Sequence, residues 1–165
     1  TTVDYDVWPP LSRAVLLLLM FVGGSAGSTG GAIKVVRMNV LAKHSVRELK
    51  RAVYPRRVTV IRLNGKAVPE EVSSAVLAFV ILYLSVFLLS MLALSAMGLD
   101  FMSAVGAVAA TLGNIGPGFG LVGPACNYSA VPTIGKWLLS FCMLVGRLEV
   151  YTVLSMLVPG FWRRP

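Results

Sequence analysis

Residues 72–97 run for 26 positions without an Asp, Glu, Lys or Arg. A helix of that length is about 39 Å long. It can cross the ~30 Å hydrocarbon core of a bilayer with some tilt. Once one segment spans a membrane, every other segment is constrained too, because backbone polar groups at membrane depth must be satisfied within the protein. The composition agrees: the chain is 56% hydrophobic and 13% charged, against about 25% charged in soluble domains. The net charge of +8 sits in Lys and Arg between the apolar runs, which fits a topology signal better than a nucleic-acid surface.

A second apolar stretch, residues 14–33, has the length of a span but not its composition. Residues 14–22 are uninterrupted apolar residues, and five glycines follow within residues 23–31. Each glycine costs a helix about 1 kcal/mol relative to Ala. The stretch therefore reads as a span broken at mid-depth, and such backbone is tolerable only when it is buried in protein or lines a water-filled cavity.

Residues 34–66 carry ten Lys or Arg against one acid, Glu48. Residues 33–53 predict a basic amphipathic helix ended by Pro55. Residues 58–68 predict a β-hairpin with Asn64-Gly65 at its turn. Pro69, Glu70 and Glu71 open the next helix with Pro and acids in its first turn. This most basic segment is expected on the cytoplasmic side. Two further crossings return Arg163 and Arg164 to that side, with Asp4 and Asp6 outside. Positive-inside segments commonly act only as anchors, but the length of this one also makes it a candidate docking face for a cytosolic partner.

Gly98 ends the long span, and Asp100 can cap a helix from Phe101 to about Thr111. That helix, about 16 Å long, cannot cross the core and is expected to be re-entrant or interfacial. A Gly-rich loop follows, Gly113-Asn114-Ile115-Gly116-Pro117-Gly118, then a polar loop over 122–133. A last span is predicted over 134–158, with Trp137 and Trp162 suited to the two interfaces. Helix, half-length helix, Gly-rich loop and helix form the unit from which cation filters are built. There, backbone carbonyls replace the water of a dehydrated ion, and a helix C-terminus directs its partial negative charge at the cation. Arg147 and Glu149 lie inside the last span. Charges at that depth usually face a bundle interior or cavity, either as a structural ion pair or as a device that holds the broken segment across the path.

Shifting the chain by 123 residues aligns Pro9 with Pro132, Met20 with Met143, Val22 with Val145 and Gly23 with Gly146, as expected if one helix occurs twice. Cys126 and Cys142 read as free thiols, and His44 as a solvated residue of the basic segment. There is no Ser-His-Asp set, His cluster or pair of membrane carboxylates, so an enzyme is not expected. No covalent cofactor or nucleic-acid partner is expected either. The first residues read as the middle of a polar loop, as in a fragment of a longer polypeptide.

Four ordered motifs carry a resemblance: residues 23–34, 62–71, 111–118 and 146–149. They resemble the TrkH family, the membrane subunits of bacterial Trk potassium uptake within the Trk/Ktr/HKT superfamily. The resemblance implies an all-α integral membrane fold of helix–pore-loop–helix repeats around one potassium-channel-like pore, with one span interrupted by an intramembrane loop. Residues 1–53 would be the inner helix of the third repeat with its cytoplasmic extension, 54–69 a cytoplasmic hairpin linker, and 70–165 the fourth repeat. The filter would comprise Leu112, Gly113, Asn114, Ile115, Gly116 and Pro117, with potassium on the backbone carbonyls of Asn114 and Ile115. The gate would comprise Gly23, Gly24, Ser25, Ala26, Gly27, Ser28, Thr29, Gly30 and Gly31, held by Arg147 with Glu149. Ala32 departs from the family, where a third glycine is common. The resemblance also implies the bacterial inner membrane, a homodimer, the missing repeats of the same transporter, and a cytosolic ring of TrkA-like nucleotide-binding regulatory subunits. The competing expectation is a membrane scaffold that binds anionic lipid or a cytosolic partner through its basic segment. Such a scaffold has no need of a short helix followed by residues 113–118.

Overall fold

The computed structural model of the chain describes residues 2–25, 27–28, 30–54, 60–63 and 65–148. Its helices are α1 (Pro10–Met20), α2 (Val35–Val53), α3 (Glu70–Ala96), α4 (Phe101–Leu112) and α5 (Thr133–Leu148). A two-stranded antiparallel hairpin, β1 (Arg62–Leu63) and β2 (Lys66–Ala67), lies between α2 and α3. Pro55, Asn64, Trp162, Arg163, Arg164 and the expected span beyond residue 148 lie outside the described residues.

Among the described residues, α3 alone is long and apolar enough to cross a membrane. It is apolar on all sides, as a span must be. Phe79, Val80, Tyr83, Ser90 and Leu94 face the protein, whereas Ile81, Leu84, Leu88, Leu89 and Leu92 are exposed. Its end is a Schellman motif. Gly98, at φ 95°, donates to Ser95 O at 3.0 Å, and Leu99 donates to Leu94 O at 3.2 Å. This satisfies carbonyls the helix would otherwise orphan, and Leu94 and Leu99 pack in the same apolar cluster.

The reversal at Gly98 sends α4 back against α3. Asp100 caps it, accepting from Ser103 N at 3.1 Å. That hydrogen-bonding, with Ser103 foremost, holds the Asp100 carboxyl below its ordinary range. Residues 103–112 are all buried, packed against both α3 and α5. Small residues permit this: Ala104, Ala107 and Ala110 are fully covered.

After α4 the chain climbs back along the same helix. Gly118 packs on the Gly106 carbonyl and Phe119 touches Gly106. One turn earlier on α4, Ser103 Oγ accepts from Leu121 N at 2.8 Å. A Cβ on Gly106 would overlap Phe119 N, so glycine is needed at this crossing. The whole excursion, helix in and extended chain out, begins and ends near the amino-terminal end of α4.

The break between α1 and α2 is narrower than a simple interruption. Gly23 N donates to Ile33 O at 2.8 Å and Ile33 N to Phe21 O at 3.0 Å, pairing Val22 with Ile33. The glycine-rich segment is thus a loop drawn out of a helical path and pinched at its neck. The pinch uses both backbone groups of Ile33, so α2 starts at Val35 rather than at residue 33. α1 and α5 each begin at the residue after one of the prolines aligned by the 123-residue shift, Pro9 and Pro132.

The described strands of the hairpin are two residues each, extended by Val68 N to Ile61 O at 2.8 Å, and residues 58–59 lie outside the described residues. One expectation is corrected. His44 is not simply solvated. Its Nδ1 lies 2.8 Å from the hydroxyl of buried Ser73, and Arg47 pairs with Glu70 at 3.2 Å. These polar contacts fasten α2 to the start of α3. Cys126 and Cys142 are both free.

Candidate functional site

The C-terminal end of α4 is where the loop, the neck and α5 converge. A helix leaves its last carbonyls without intrahelical partners, and their fate defines the site. Those of Ala109, Ala110 and Thr111 are consumed by Gly113 N, Ile115 N and Asn114 N. The Leu112 carbonyl is covered by Gly146 of α5, and the Gly113 carbonyl by Gly31, where a Cβ would come within 2.6 Å. Among the described residues, nothing donates to the carbonyls of Asn114 or Ile115. Both residues are exposed, as is Gly116.

The backbone is shaped to present them. Asn114 sits in the left-handed region at φ 54° and Gly116 at φ 116°. Asn tolerates the first, and the second is open in practice only to glycine. The Asn114 side chain fills the gap between three elements, with its Nδ2 beside both Gly31 and Gly146 and donating to Met143 O at 3.2 Å. The Gly116 carbonyl accepts from the Tyr128 hydroxyl at 2.8 Å.

The returning chain is clasped from the amino-terminal segment. Tyr5 OH donates to Gly118 O at 2.9 Å, and Gly120 N donates to Asp6 Oδ2 at 2.6 Å. Burial raises the pKa of both Tyr5 and Tyr128, with nearby acids adding to it for Tyr5 and Tyr5 itself for Tyr128. Both phenols therefore remain protonated donors.

On the other side of the neck, a cavity of about 380 Å³ is lined by Ser28, Gly30 and Ala32 of the glycine-rich loop, by Lys34 and Arg37, and by Arg147. Arg37 also lies over the Phe79 ring at 4.1 Å. The structure thus brings Arg147 and the glycine-rich loop to one cavity, with cations from two elements. Ala32 is left-handed at φ 59°, which explains why glycine suits that position. Ala26, Thr29 and Glu149 of the expected gate lie outside the described residues.

The two predicted sets therefore meet: Gly31 touches Gly113, and Gly146, next to Arg147, covers Leu112. Tyr5, Asp6 and Tyr128 were not anticipated. Asp6 read only as a topology marker, and no local pattern links Tyr5 to Gly118 across 113 residues.

The TrkH family profile, described as a cation transport protein, matches residues 1–160. The chain is 47% identical over 163 residues to the Trk system potassium uptake protein TrkH of Vibrio parahaemolyticus, and equally so to that of Escherichia coli K12. Each match covers 99% of this chain and 33% of the relative. The Trk system potassium uptake protein TrkG of Escherichia coli K12 is 37% identical over 162 residues. The crystal structure of the potassium transporter TrkH from Vibrio parahaemolyticus superposes with a TM-score of 0.89 at 47% identity, covering 99% of this chain and 34% of that one. The chain spans about a third of the length of these relatives.

Proposed function

Because the chain belongs to the TrkH family of cation transport proteins, we propose that it forms one quarter of a potassium-conducting filter together with the intramembrane gate beneath it. The observation that supports this is a pair of carbonyls, of Asn114 and Ile115, that belong to exposed residues and have no protein donor among the described residues. They stand at the end of a buried half-length helix. A potassium ion sheds its hydration shell only where oxygen dipoles replace it. The C-terminal end of α4, which leads into this strand, adds a partial negative charge nearby. Leu112 and Gly113 anchor the strand, and Gly116 and Pro117 turn it outward.

One such strand cannot encircle an ion. The other three would come from repeats of the same polypeptide beyond this segment, consistent with the chain's one-third share of its relatives. The glycine-rich loop, Gly23 to Gly31, lies across the path below the filter, held by Arg147 with Glu149. Residues 34–66 and the C-terminus face the cytoplasm of a bacterial inner membrane. There they would meet a TrkA-like nucleotide-binding ring, and two transporters would pair as a homodimer.

The test is Gly116→Ser in the full-length polypeptide, with potassium and sodium uptake measured side by side. There is open space around the Gly116 Cα, but φ 116° strains any side chain placed there. Ser is therefore expected to disturb the strand and lower the potassium-to-sodium ratio. An unaltered ratio in correctly inserted protein removes Gly116 from the filter.

A further inference from the structure

Resting on the filter reading above, we infer that Tyr128 is a specificity-determining positioning residue: its hydroxyl fixes the direction of the Gly116 carbonyl, and so decides which oxygens of the strand reach the ion. The carbonyl in question belongs to the peptide that links Gly116 to Pro117. Proline has no N–H, so the carbonyl is the only polar group this peptide has. The residue is also open on its Cβ side, where a side chain would meet nothing within 4 Å. Glycine leaves this peptide plane more room to turn than another residue would, within the limits proline sets on the residue before it. Among the described residues, the Tyr128 hydroxyl, at 2.8 Å, is what holds this carbonyl, whereas the Asn114 and Ile115 oxygens accept from none.

Tyr128 is itself held for this role. It opens the 3₁₀ turn Tyr128–Ala130, capped by the Asn127 side chain, which accepts from Ser129 N at 2.9 Å. Lys136 Nζ reaches back from α5 to the Ser129 carbonyl at 3.1 Å. Its ring packs on the apolar cluster that includes Val108, Val122 and Leu139. The outer loop and α5 thus set the phenol, and the phenol sets the strand. Tyr5 acts two residues farther along, on Gly118, beyond the proline.

Tyr128→Phe deletes the hydroxyl and keeps the ring. In the full-length transporter, uptake of potassium and of sodium is measured for wild type, Tyr128→Phe and Gly116→Ser in parallel. The loss of one net hydrogen bond predicts a potassium-to-sodium ratio about 3- to 10-fold lower in Tyr128→Phe. A merely structural tyrosine would change protein level and leave the ratio alone. If Gly116→Ser lowers the ratio and Tyr128→Phe does not, the role of Tyr128 is overturned and the filter stands. If neither moves it, the filter reading falls and this inference with it. Tyr128→Met, which also fills the ring's place without a donor, gives the same comparison should the Phe variant not reach the membrane.

Discussion

The Asn114 side-chain amide donates to the Met143 carbonyl at 3.2 Å, across a gap of 29 residues. It joins the first left-handed residue after α4 to the middle of α5. The same nitrogen lies against Gly31 and Gly146, so one side chain touches the strand, the neck of the glycine-rich loop and the last described helix. Asn114→Ala should cost on both counts: it loses the tether, worth about 0.5–1.5 kcal/mol, and it places a residue less suited than Asn at φ 54°, at about 1 kcal/mol. Asn114→Gly loses the tether but relieves the backbone. Thermal unfolding of the full-length protein in detergent should rank wild type above Gly and Gly above Ala. Ala equal to wild type would show that the amide bears no load.

Gly146 and Gly27 make a matched pair for testing how tightly the convergence is packed. A Cβ on Gly146 would overlap the Leu112 carbonyl, whereas one on Gly27 meets nothing within 4 Å. In a helix interior Ala is ordinarily better than Gly by about 1 kcal/mol. At position 146 overpacking, of about 1–3 kcal/mol, should override that preference. Gly146→Ala is therefore expected to lower the unfolding temperature and displace α5 from α4. Gly27→Ala should fall within about 0.5 kcal/mol of wild type. Equal stabilities would mean that α5 slides to make room.

Much of this was legible in the chain because it rests on local chemistry. The uncharged run fixed α3, Asp100 marked the cap of α4, and Gly98 marked the reversal. Pro9 and Pro132, legible only as partners in the repeat, stand just before α1 and α5, which start earlier than the apolar runs over 14–33 and 134–158 suggest. The glycine density of residues 23–31 announced a broken span, but not that its neck would close through Ile33. That closure depends on a register between two segments, which glycine counts do not encode. Nor could Tyr5, Asp6 and Tyr128 be found, since their partners are carbonyls and amides of a distant loop. Every residue offers those groups, so no side-chain pattern singles them out.

Arg147 offers the sharpest test of the gate. It shares a cavity of about 380 Å³ with Ser28, Gly30 and Ala32, together with Lys34 and Arg37. Three cationic side chains around one cavity oppose the passage of another cation. A guanidinium also offers five donors to the carbonyls of a loop that forms no helix. Arg147→Ala removes these donors and one of the three charges. It should leave α5 standing, since the residue is exposed and Ala is the best helix former. If one charge-assisted hydrogen bond of about 1.5–3 kcal/mol favours the closed loop, its loss should raise the open fraction roughly tenfold or more. Cation uptake through the full-length protein should rise accordingly. Arg147→Lys keeps the charge but lacks the planar fork, so it should fall between the two if hydrogen bonding dominates and match wild type if repulsion does. Unchanged uptake in Arg147→Ala, at normal protein level, would take the arginine out of the gate and leave it as a partner of neighbouring helices alone.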